Sequence, residues 1–333
     1  MSFKNNDIIF PRCRISIIVV SFKNTQFTLD CFKAIEAINL PFAYEIICVD
    51  NGLNDNLQTF IAKDFPNVRF FQMGYNSGFS KANNLGIMNS QSEYILLLNN
   101  DTRIIESIFE KFLNFMDTHP KVGALGPRHL DNDGRFQISY GRFPTILTEM
   151  NLKIMRNRIL GNGSVVKRHL KKFCSTEREV DWLSGSCLFL RRDALLQTGL
   201  LDEALFMYFE DVDICKRISN KGWGIYYFPS ISIIHYHGES VKKNILTCLF
   251  EFRRSQLIFA KKYYGVLGEM FMRGFLLFKF VIIGCFSILE YCFLKLFKKN
   301  FQIAYKRMLL SRKVIGMVLF SKVAQPVEPN LKV

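Results

Sequence analysis

The chain has 333 residues, of which 49% are hydrophobic, and its formal net charge is +15. This length and apolar content allow a sizeable core and predict one large domain with an appendage, or two domains. The nine cysteines are scattered without a CxxC pair. Their spacing excludes a small disulfide-stapled scaffold and predicts reduced cytosolic thiols in core positions. Residues 1–14 lack the apolar run of a secretory signal, so we expect none.

The positive charge is concentrated near the end of the chain. Residues 241–333 contain 17 Lys and Arg against 4 Asp and Glu, whereas the first 240 residues contain 27 against 25. A basic segment can bind nucleic acid or anionic lipid. The apolar content of this tail exceeds what a basic nucleic-acid arm needs, which favours a membrane surface over nucleic acid.

Apolar, β-branched runs alternate with segments of helical periodicity through the first 126 residues. Strands are predicted at 15–21, 44–49, 68–72, 94–98 and 122–126, and helices at 25–39, 57–64, 79–89 and 107–118. This alternation predicts an α/β domain with a mostly parallel sheet. In such sheets, ligands bind at the carboxyl ends of the strands.

The middle of the chain is less regular. The sequence Asp-Asn-Asp-Gly at 131–134 predicts a hairpin turn, and the basic segment 151–172 predicts a loop. Order returns at 180–190. A helix is then predicted to begin at Phe209 or Glu210 and to end at Gly222, and two short strands are predicted at 224–228 and 231–235.

The fourth predicted strand leads directly into Asn99, Asn100 and Asp101. This order places the Asp101 carboxylate at the edge of the sheet that faces the expected ligand-binding cleft. A hard divalent cation takes oxygen ligands, and Mg²⁺ commonly uses one or two carboxylates together with phosphate oxygens. The same three residues could instead form a turn that caps the next helix, so both interpretations stay open at this point.

Three acidic side chains, Glu210, Asp211 and Asp213, open the predicted helix. Acids at this end interact favourably with the helix dipole, which is one explanation for them. The flanking residues at 207–209 and Ile214 are apolar, so the acids emerge from a buried edge. A carboxylate in such a setting can have its pKa tuned to act as a general base.

Two further polar segments follow predicted strands. His235 and His237 stand two residues apart at a strand end, where they are either satisfied core or surface groups or metal ligands. Asn76-Ser77-Gly78 precedes a helix, and glycine lets the backbone approach a phosphate at a helix amino terminus. Neither a GxGxxG motif nor a Walker A loop is present, which argues against an oxidoreductase on a dinucleotide-binding sheet.

In this order the segments resemble the family 2 glycosyltransferases, and within them the rhamnosyltransferase-like enzymes of bacterial surface-polysaccharide (O-antigen) assembly. The resemblance covers about residues 14–240 and rests on ISIIVVSFKN at 15–24, EIICVDNG at 45–52, NSGFSKANNLGI at 76–87, YILLLNNDT at 94–102, VGALGP at 122–127, VDWLSGSCLFLRRDA at 180–194, LDEALFMYFEDVDICKRISNKGW at 201–223 and HYHGES at 235–240. It implies a metal-dependent, inverting transfer of a sugar, for which this subgroup makes rhamnose a candidate, from a dTDP- or UDP-linked donor to a glycan or lipid-linked acceptor.

The implied fold is the GT-A fold, an α/β fold with a mostly parallel sheet flanked by helices. We expect a GT-A domain at residues 1–240, with a nucleotide-binding half at about 14–127 and an acceptor and catalytic half at about 128–240. Residues 241–333 would form a C-terminal helical, membrane-associating appendage.

The resemblance also implies roles for individual residues. The nucleotide would be held by Val20, Ser21, Phe22, Asp50, Asn76, Gly78, Asn83 and Asn100. Asp101, as the second Asp of the DxD motif, would bind Mg²⁺ or Mn²⁺, and His235 and His237 would complete the metal site. Asp211 would be the catalytic base with Glu210 beside it. The donor and acceptor would lie near Trp182, Ser184 and Gly185.

Two positions depart from the family pattern. Asn99 replaces the first Asp of the DxD motif, so one anionic ligand is missing, and Lys81 stands where a small residue is usual. Lys81 either contacts a phosphate or faces solvent. Asn99 supports an alternative, a catalytically inactive nucleotide-binding or membrane-scaffolding protein with the same fold. The intact Asp101, Asp211 and His235 favour an enzyme.

The tail combines apolar and basic residues. Its apolar part, 271–297, is interrupted by Arg273, Lys279 and Glu290, and its longest charge-free stretch has ten residues, 280–289, which is short for a membrane span. Residues 298–322 continue as basic amphipathic sequence. This combination predicts peripheral or monotopic attachment at the cytoplasmic face of the cell membrane. One true span and a packed helical appendage remain as alternatives.

Overall fold

The computed structural model of the protein describes residues 13–52, 56–105, 107–145, 176–236 and 245–321. The predicted loop at 151–172, Cys174 and the candidate ligand His237 lie outside these residues.

The described residues form twelve strands and eight helices, labelled here in chain order. The strands are β1 Ile15–Ser21, β2 Tyr44–Asp50, β3 Arg69–Gln72, β4 Tyr94–Asn99, β5 Thr102–Ile104, β6 Val122–Leu130, β7 Phe136–Gln137, β8 Tyr140–Gly141, β9 Arg178–Glu179, β10 Trp182–Leu183, β11 Cys187–Arg191 and β12 Gly224–His235. The helices are α1 Thr25–Glu36, α2 Leu57–Asp64, α3 Phe79–Met88, α4 Ile108–Thr118, α5 Arg192–Thr198, α6 Glu210–Asn220, α7 Ile245–Leu296 and α8 Gln302–Phe320.

Eight of the strands make the continuous part of one mixed sheet, in the order β3-β2-β1-β4-β11-β6-β12-β5. The first four run parallel, as the sequence predicts. Strand β11 lies antiparallel between β4 and β6, and β12 pairs parallel with β6. The two predicted halves of the GT-A domain therefore share one sheet.

The sheet is covered on both faces, which explains why its central strands are apolar on both sides. In β1, Ile17 and Val19 belong to one core, into which Phe32 of α1 and Phe112 of α4 also pack. The alternate residue, Ile18, belongs to the other core, which includes residues of α3, α5 and α6. Burial on both faces leaves only the strand ends for polar chemistry.

One prediction for the second half of the domain needs correction and another is confirmed. The two short strands predicted at 224–228 and 231–235 are one strand, β12, with a register shift against β6 between Phe228 and Ser232. At this irregularity residues 229–231 have no register partner on β6, and the strand continues through them without a turn. The hairpin turn predicted at 131–134 is present, because β6 and β7 pair antiparallel across it.

The tail is helical, and it is joined to the sheet domain more closely than the sequence indicates. Helix α7 contains one non-helical residue, Gly265, with a φ of 66°. Before this point, Ile258 and Phe259 pack into a small core with Leu205, Phe209 and Val212. A separate cluster, in which α7 packs against α8, includes Leu257 before this point and Leu276 and Val314 after it.

The tail has many exposed apolar side chains on its outer surface. Helix α7 is long and hydrophobic enough to cross a membrane, and only 22% of its most apolar window is buried within the protein. The eight cysteines within the described residues are unpaired. Most of these eight are buried as expected, but Cys285 and Cys292 of α7 are exposed. They are exposed because no other described residues pack against the outer side of that part of the helix.

Candidate active site

Asp101 and His235 meet at one edge of the sheet. The apolar strand β4 ends at Asn99, and the chain turns into the short strand β5, which pairs with the end of β12 so that His235 lies opposite Thr102. As a result, Asp101 Oδ1 lies 3.4 Å from His235 Nε2. The backbone N–H of Tyr236 also donates to the Asp101 carbonyl, at 2.9 Å. Two residues that are far apart in sequence are thus fixed side by side.

Gln137 orients the His235 ring. Its Nε2 donates to the His235 carbonyl at 2.9 Å, so its Oε1 is left to accept from His235 Nδ1 at 3.2 Å. A proton on Nδ1 leaves the Nε2 lone pair directed to the Asp101 side. Metal-binding histidines are commonly fixed in this way by a hydrogen bond to the other ring nitrogen.

The residues present suit a divalent cation. The 3.4 Å between Asp101 Oδ1 and His235 Nε2 is short enough for both atoms to bind one ion, given metal–ligand distances of about 2.1 Å. The buried Oδ1 of Asn99 has no hydrogen-bond partner among the described residues. Nowhere in the described ranges do three or more His, Cys, Asp or Glu side chains form a metal-binding group. A set of two protein ligands suits Mg²⁺ bound together with substrate phosphates.

Asp211 lies at the start of α6 and is held by backbone donors. Its Oδ2 accepts from the Gly185 N–H at 2.9 Å, and its Oδ1 accepts from the Val212 N–H at 2.8 Å. Burial raises the pKa of Asp211 above its ordinary value, and these hydrogen bonds act in the opposite direction. A carboxylate with a raised pKa and a fixed position has the properties of a general base.

Glu210 is more deeply buried than its neighbour. Its Oε2 has no hydrogen-bond partner within the described residues. Burial, and next the negative charge of Asp211, raise the pKa of Glu210 well above its ordinary value. The two adjacent acids are therefore in different environments, and both oxygens of Asp211 accept backbone N–H bonds that stabilise its charged form, whereas one oxygen of Glu210 has no partner within the described residues.

The segment before α6 is strained. Tyr208 and Phe209 both have a φ of 69°, in the left-handed region. Such residues cost about 1–3 kcal/mol each and persist only where surrounding contacts impose them. The strain lies directly before the two acids, and strained backbone of this kind is concentrated at active sites.

The loop of residues 184–186, between β10 and β11, connects Asp211 with the part of the sheet that holds the Asp101–His235 pair. Gly185 binds Asp211, and the carbonyl of the next residue, Ser186, accepts from the Asn99 N–H at 2.9 Å. Ser186 Oγ is also 3.2 Å from His129 Nδ1, and the His129 ring lies 5.8 Å from the His235 ring. Asp211 thus contacts this three-residue loop directly, and the Asp101–His235 pair is linked to it through Asn99 and His129.

Of the predicted nucleotide-binding residues, Ser21, Asp50 and Asn100 lie at the ends of β1, β2 and β4, and Asn76 lies in the loop between β3 and α3. Asn100 Nδ2 donates to Thr28 Oγ1 at 2.9 Å, and Thr28 in turn lies 2.8 Å from Ser21 Oγ. Asp50 Oδ1 accepts from the Gly52 N–H at 2.9 Å. These contacts hold three of the candidate side chains at one edge of the sheet. Val20 and Phe22, on either side of Ser21, are partly buried.

Gly78 and Asn83 have structural partners of their own. Gly78 has a φ of 88°, and a Cβ there would lie 2.6 Å from the Phe206 ring. The glycine therefore admits Phe206, whose carbonyl accepts from the Phe79 N–H at 2.7 Å. Asn83 is buried and donates to the Phe79 carbonyl. A role of either residue toward a nucleotide stays a prediction.

The three residues predicted near donor and acceptor are close together in the chain but have different partners. Trp182 Nε1 donates to the Arg142 carbonyl at 2.9 Å, and Ser184 Oγ lies 2.9 Å from Ser186 Oγ. Gly185 is the residue that contacts the candidate base.

Sequence reasoning missed several residues that organise this site. Asn51 shapes the predicted nucleotide loop, because its Oδ1 accepts from the Ser77 N–H and its Nδ2 donates to the Gly78 carbonyl. Gln137 and His129, described above, support His235. A polar residue inside a strand is a weak signal for His129. No local signal identifies Gln137 or Asn51, because their partners are distant in sequence.

The mixed sheet with this strand order is that of the GT-A fold, as comparison with solved structures shows. A mannosyltransferase from Pyrobaculum calidifontis, solved in complex with GDP-Man and Mn²⁺, has the same fold, with a TM-score of 0.56 at 12% identity over 93% of this chain and 88% of the other. GalNAc-T7, solved with UDP, GalNAc and Mn²⁺, covers 74% of this chain with a TM-score of 0.51 at 13% identity.

Sequence comparison gives the family. The pattern of glycosyl transferase family 2 matches residues 16–195, and the chain belongs to that family. It is 30% identical to the N-acetylglucosaminyl-diphospho-decaprenol L-rhamnosyltransferase of Mycobacterium tuberculosis, over 69% of this chain and 79% of the relative. It is 24% identical to the rhamnosyltransferase WbbL of Escherichia coli K12, over 67% of this chain and 83% of that protein. The family predicted from the ordered motifs is confirmed.

Proposed function

We propose that this enzyme transfers rhamnose from dTDP-rhamnose to a lipid-linked glycan acceptor in surface-polysaccharide synthesis, with inversion and with the help of a divalent cation. The names of the similar proteins support the sugar and the acceptor, since two are rhamnosyltransferases and one of them acts on a diphospho-decaprenol carrier. A further relative, from Shigella flexneri, is named a dTDP-rhamnosyl transferase and is 25% identical over 60% of this chain.

The proposed mechanism rests on one observation. Asp211 contacts the loop 184–186, and the Asp101–His235 pair is linked to the same loop through Asn99 and His129. Asp211 accepts the proton of the acceptor hydroxyl, while Gly185 N–H holds the carboxylate in position. The hydroxyl oxygen attacks the anomeric carbon on the face opposite the diphosphate, so the configuration inverts. Asp101 and His235 would hold Mg²⁺ or Mn²⁺, which when bound supplies positive charge for the departing diphosphate.

The variant Asp211→Asn tests the base. It keeps the size of the side chain and one carbonyl oxygen for the backbone donors, but it cannot take a proton. We expect turnover of dTDP-rhamnose to fall about 10²- to 10⁴-fold, the usual contribution of a general base, while donor KM changes little. Turnover within a few-fold of the wild type would show that another group is the base.

A donor panel tests the sugar and the metal. Membranes containing the enzyme are supplied with dTDP-rhamnose, UDP-hexoses or UDP-galactofuranose, and the released nucleotide is measured with and without EDTA. We expect dTDP release that EDTA abolishes and Mn²⁺ or Mg²⁺ restores. The absence of metal-dependent release from every donor would instead favour an inactive nucleotide-binding or scaffolding protein.

We also propose monotopic attachment of the α7–α8 hairpin to the cytoplasmic face of the membrane. Phe278, Phe286 and Leu289 are each more than 65% exposed. Charged side chains interrupt the apolar surface, and one of them, Glu290, pairs with Arg307 of α8 at 3.1 Å. An apolar face bordered by basic residues is typical of helices that lie in the interface.

The double variant Phe286→Glu/Leu289→Glu tests the attachment. Both side chains are already exposed, so the substitutions should leave the fold unchanged. Flotation of the full chain with vesicles that contain anionic lipid should show binding by the wild type and loss of binding by the variant. Equal binding by the two proteins would contradict the proposal.

A further inference from the structure

The first part of α7 lies against the segment that leads into the candidate base. Its Phe252 ring lies 5.6 Å from the Tyr208 ring and 5.2 Å from the Phe209 ring. Ser255 Oγ donates to the Met207 carbonyl at 2.8 Å. This face of α7 thus covers the strained residues that precede Glu210.

The Lys262 side chain of this helix face contacts both ends of residues 202–213, the segment that contains Asp211. Lys262 Nζ lies 2.8 Å from Asp202 Oδ2 and 2.9 Å from Asp213 Oδ1. Asp202 begins the segment and Asp213 lies two residues after the base, so the ammonium group closes the loop that contains Asp211. The Lys262 side chain is 8% exposed, and both carboxylates are fully buried.

The surrounding groups balance these charges. Asp213 also accepts from Arg217 Nε at 2.9 Å and from the Tyr263 hydroxyl at 2.7 Å. Two carboxylates, one ammonium group and one guanidinium group therefore form a neutral buried network. Breaking a buried pair by removing one partner leaves an uncompensated charge, so the neighbouring backbone must rearrange when Lys262 is lost.

We infer that Lys262 is a positioning residue for catalysis: the C-terminal helix α7, through Lys262, sets the position of the Asp211 carboxylate. This inference rests on the proposed role of Asp211 as the base. The other side of the segment is held by α3, because Ser80 Oγ donates to the Leu205 carbonyl and Phe79 N–H donates to the Phe206 carbonyl. Those contacts do not involve Lys262. The side of the segment that packs against α3, next to the predicted site of the nucleotide-sugar donor, therefore keeps its contacts when Lys262 is changed.

The matched variants are Lys262→Met and Lys261→Met in the full chain. Lys261 is the adjacent lysine, it pairs with Glu269 at 3.7 Å, and its side chain is 25% exposed. With dTDP-rhamnose and N-acetylglucosaminyl-diphospho-polyprenol as substrates, we expect Lys262→Met to lower kcat about 100-fold, the cost of an error of about 1 Å in position. Donor KM should change less than about threefold, and Lys261→Met should behave as the wild type. Equal kcat values for the two variants would overturn the inference.

The double variant Asp202→Asn/Lys262→Met separates positioning from folding. It removes one charge of each sign, so the buried network stays neutral, and the asparagine oxygen can still accept from the Ala204 N–H as Asp202 does at 3.0 Å. We expect it to recover the melting temperature of the wild type but not its kcat, since the link across the segment is still missing. Recovery of kcat together with the melting temperature would mean that Lys262 serves only to neutralise charge.

Hydrogen exchange gives a measurement that does not depend on the sugar donor. Backbone amides of residues 203–213 should exchange faster in Lys262→Met than in Lys261→Met, and unchanged exchange would overturn the inference. The variant Asp211→Asn is assayed in parallel. Near-normal turnover by Asp211→Asn would refute the proposed base and this inference together, whereas a loss there without a loss in Lys262→Met would refute only the inference.

Discussion

Replacing Gly78 with alanine would place a methyl group in space that Phe206 occupies. The new Cβ would lie 2.6 Å from the Phe206 ring, 2.6 Å from its carbonyl oxygen and 3.0 Å from Cγ. The backbone at Gly78, with φ 88° and ψ 167°, is in a region that residues other than glycine almost never adopt. The substitution therefore combines backbone strain with a steric overlap.

Both contributions can be estimated. The backbone conformation costs an alanine about 1–3 kcal/mol. Overpacking costs about 1–3 kcal/mol more, so the free energy of unfolding should fall by about 2–6 kcal/mol in total. Since Phe206 lies four residues before Glu210, relief of the overlap would also move the base, and kcat should fall in the fraction that remains folded.

Gly74 provides the matched control. Its φ is 72°, but a Cβ there would meet no atom within 4 Å, so Gly74→Ala carries the strain without the overlap. We expect it to lose only about 1–2 kcal/mol and to keep its kcat. Urea unfolding followed by circular dichroism measures both variants. If Gly78→Ala is no less stable than Gly74→Ala, the close contact with Phe206 does not constrain this position.

Three further outcomes are expected. Burial raises the pKa of Asp211, so its carboxylate form is lost as the pH falls through that raised value. The kcat should therefore decline on the acid side at a higher pH than an ordinary aspartate, with a pKa of about 3.9, would give. A pH–rate profile without this shift would contradict the assignment of Asp211 as the base. Gln137→Leu should raise the Mn²⁺ concentration for half-maximal activity about 10- to 100-fold by releasing the His235 ring, whereas an unchanged metal titration would show that the ring needs no support. Arg217→Met should lower the free energy of unfolding by about 3–5 kcal/mol. Arg217 pairs with Asp213 and donates to the Thr198 and Leu200 carbonyls, and methionine makes none of these contacts. A urea midpoint like that of the wild type would argue against the buried network.

Much of the sheet could be predicted because its signals are local. A run of apolar residues such as 94–98 fits a strand buried on both faces, and the change to Asn and Asp at its end marks the edge of the core. The helices that flank the sheet repeat their apolar residues every three or four positions. The same local order predicted that Asp101, Asp211 and His235 would follow buried elements.

The contact between the tail and the segment that contains Asp211 could not be predicted from these local signals. Residues 241–333 are basic and apolar, and their composition indicates a separate appendage. In the structure, Lys262 enters a buried network with Asp202 and Asp213. A lysine that pairs within the core and a lysine that faces solvent have the same local sequence pattern, because the difference depends on partners more than 45 residues away.

The sequence alone determined most of the longer strands and helices, the polar residues at their ends and the family, because backbone preference and hydrophobic periodicity act over a few residues. Only the tertiary structure decided which of those ends meet. Strand β11 lies between β4 and β6 and so brings Gly185 to Asp211, and β12 returns beside β5 and so brings His235 to Asp101. Such pairings are set by which surfaces can be buried together, and that choice depends on the whole chain at once.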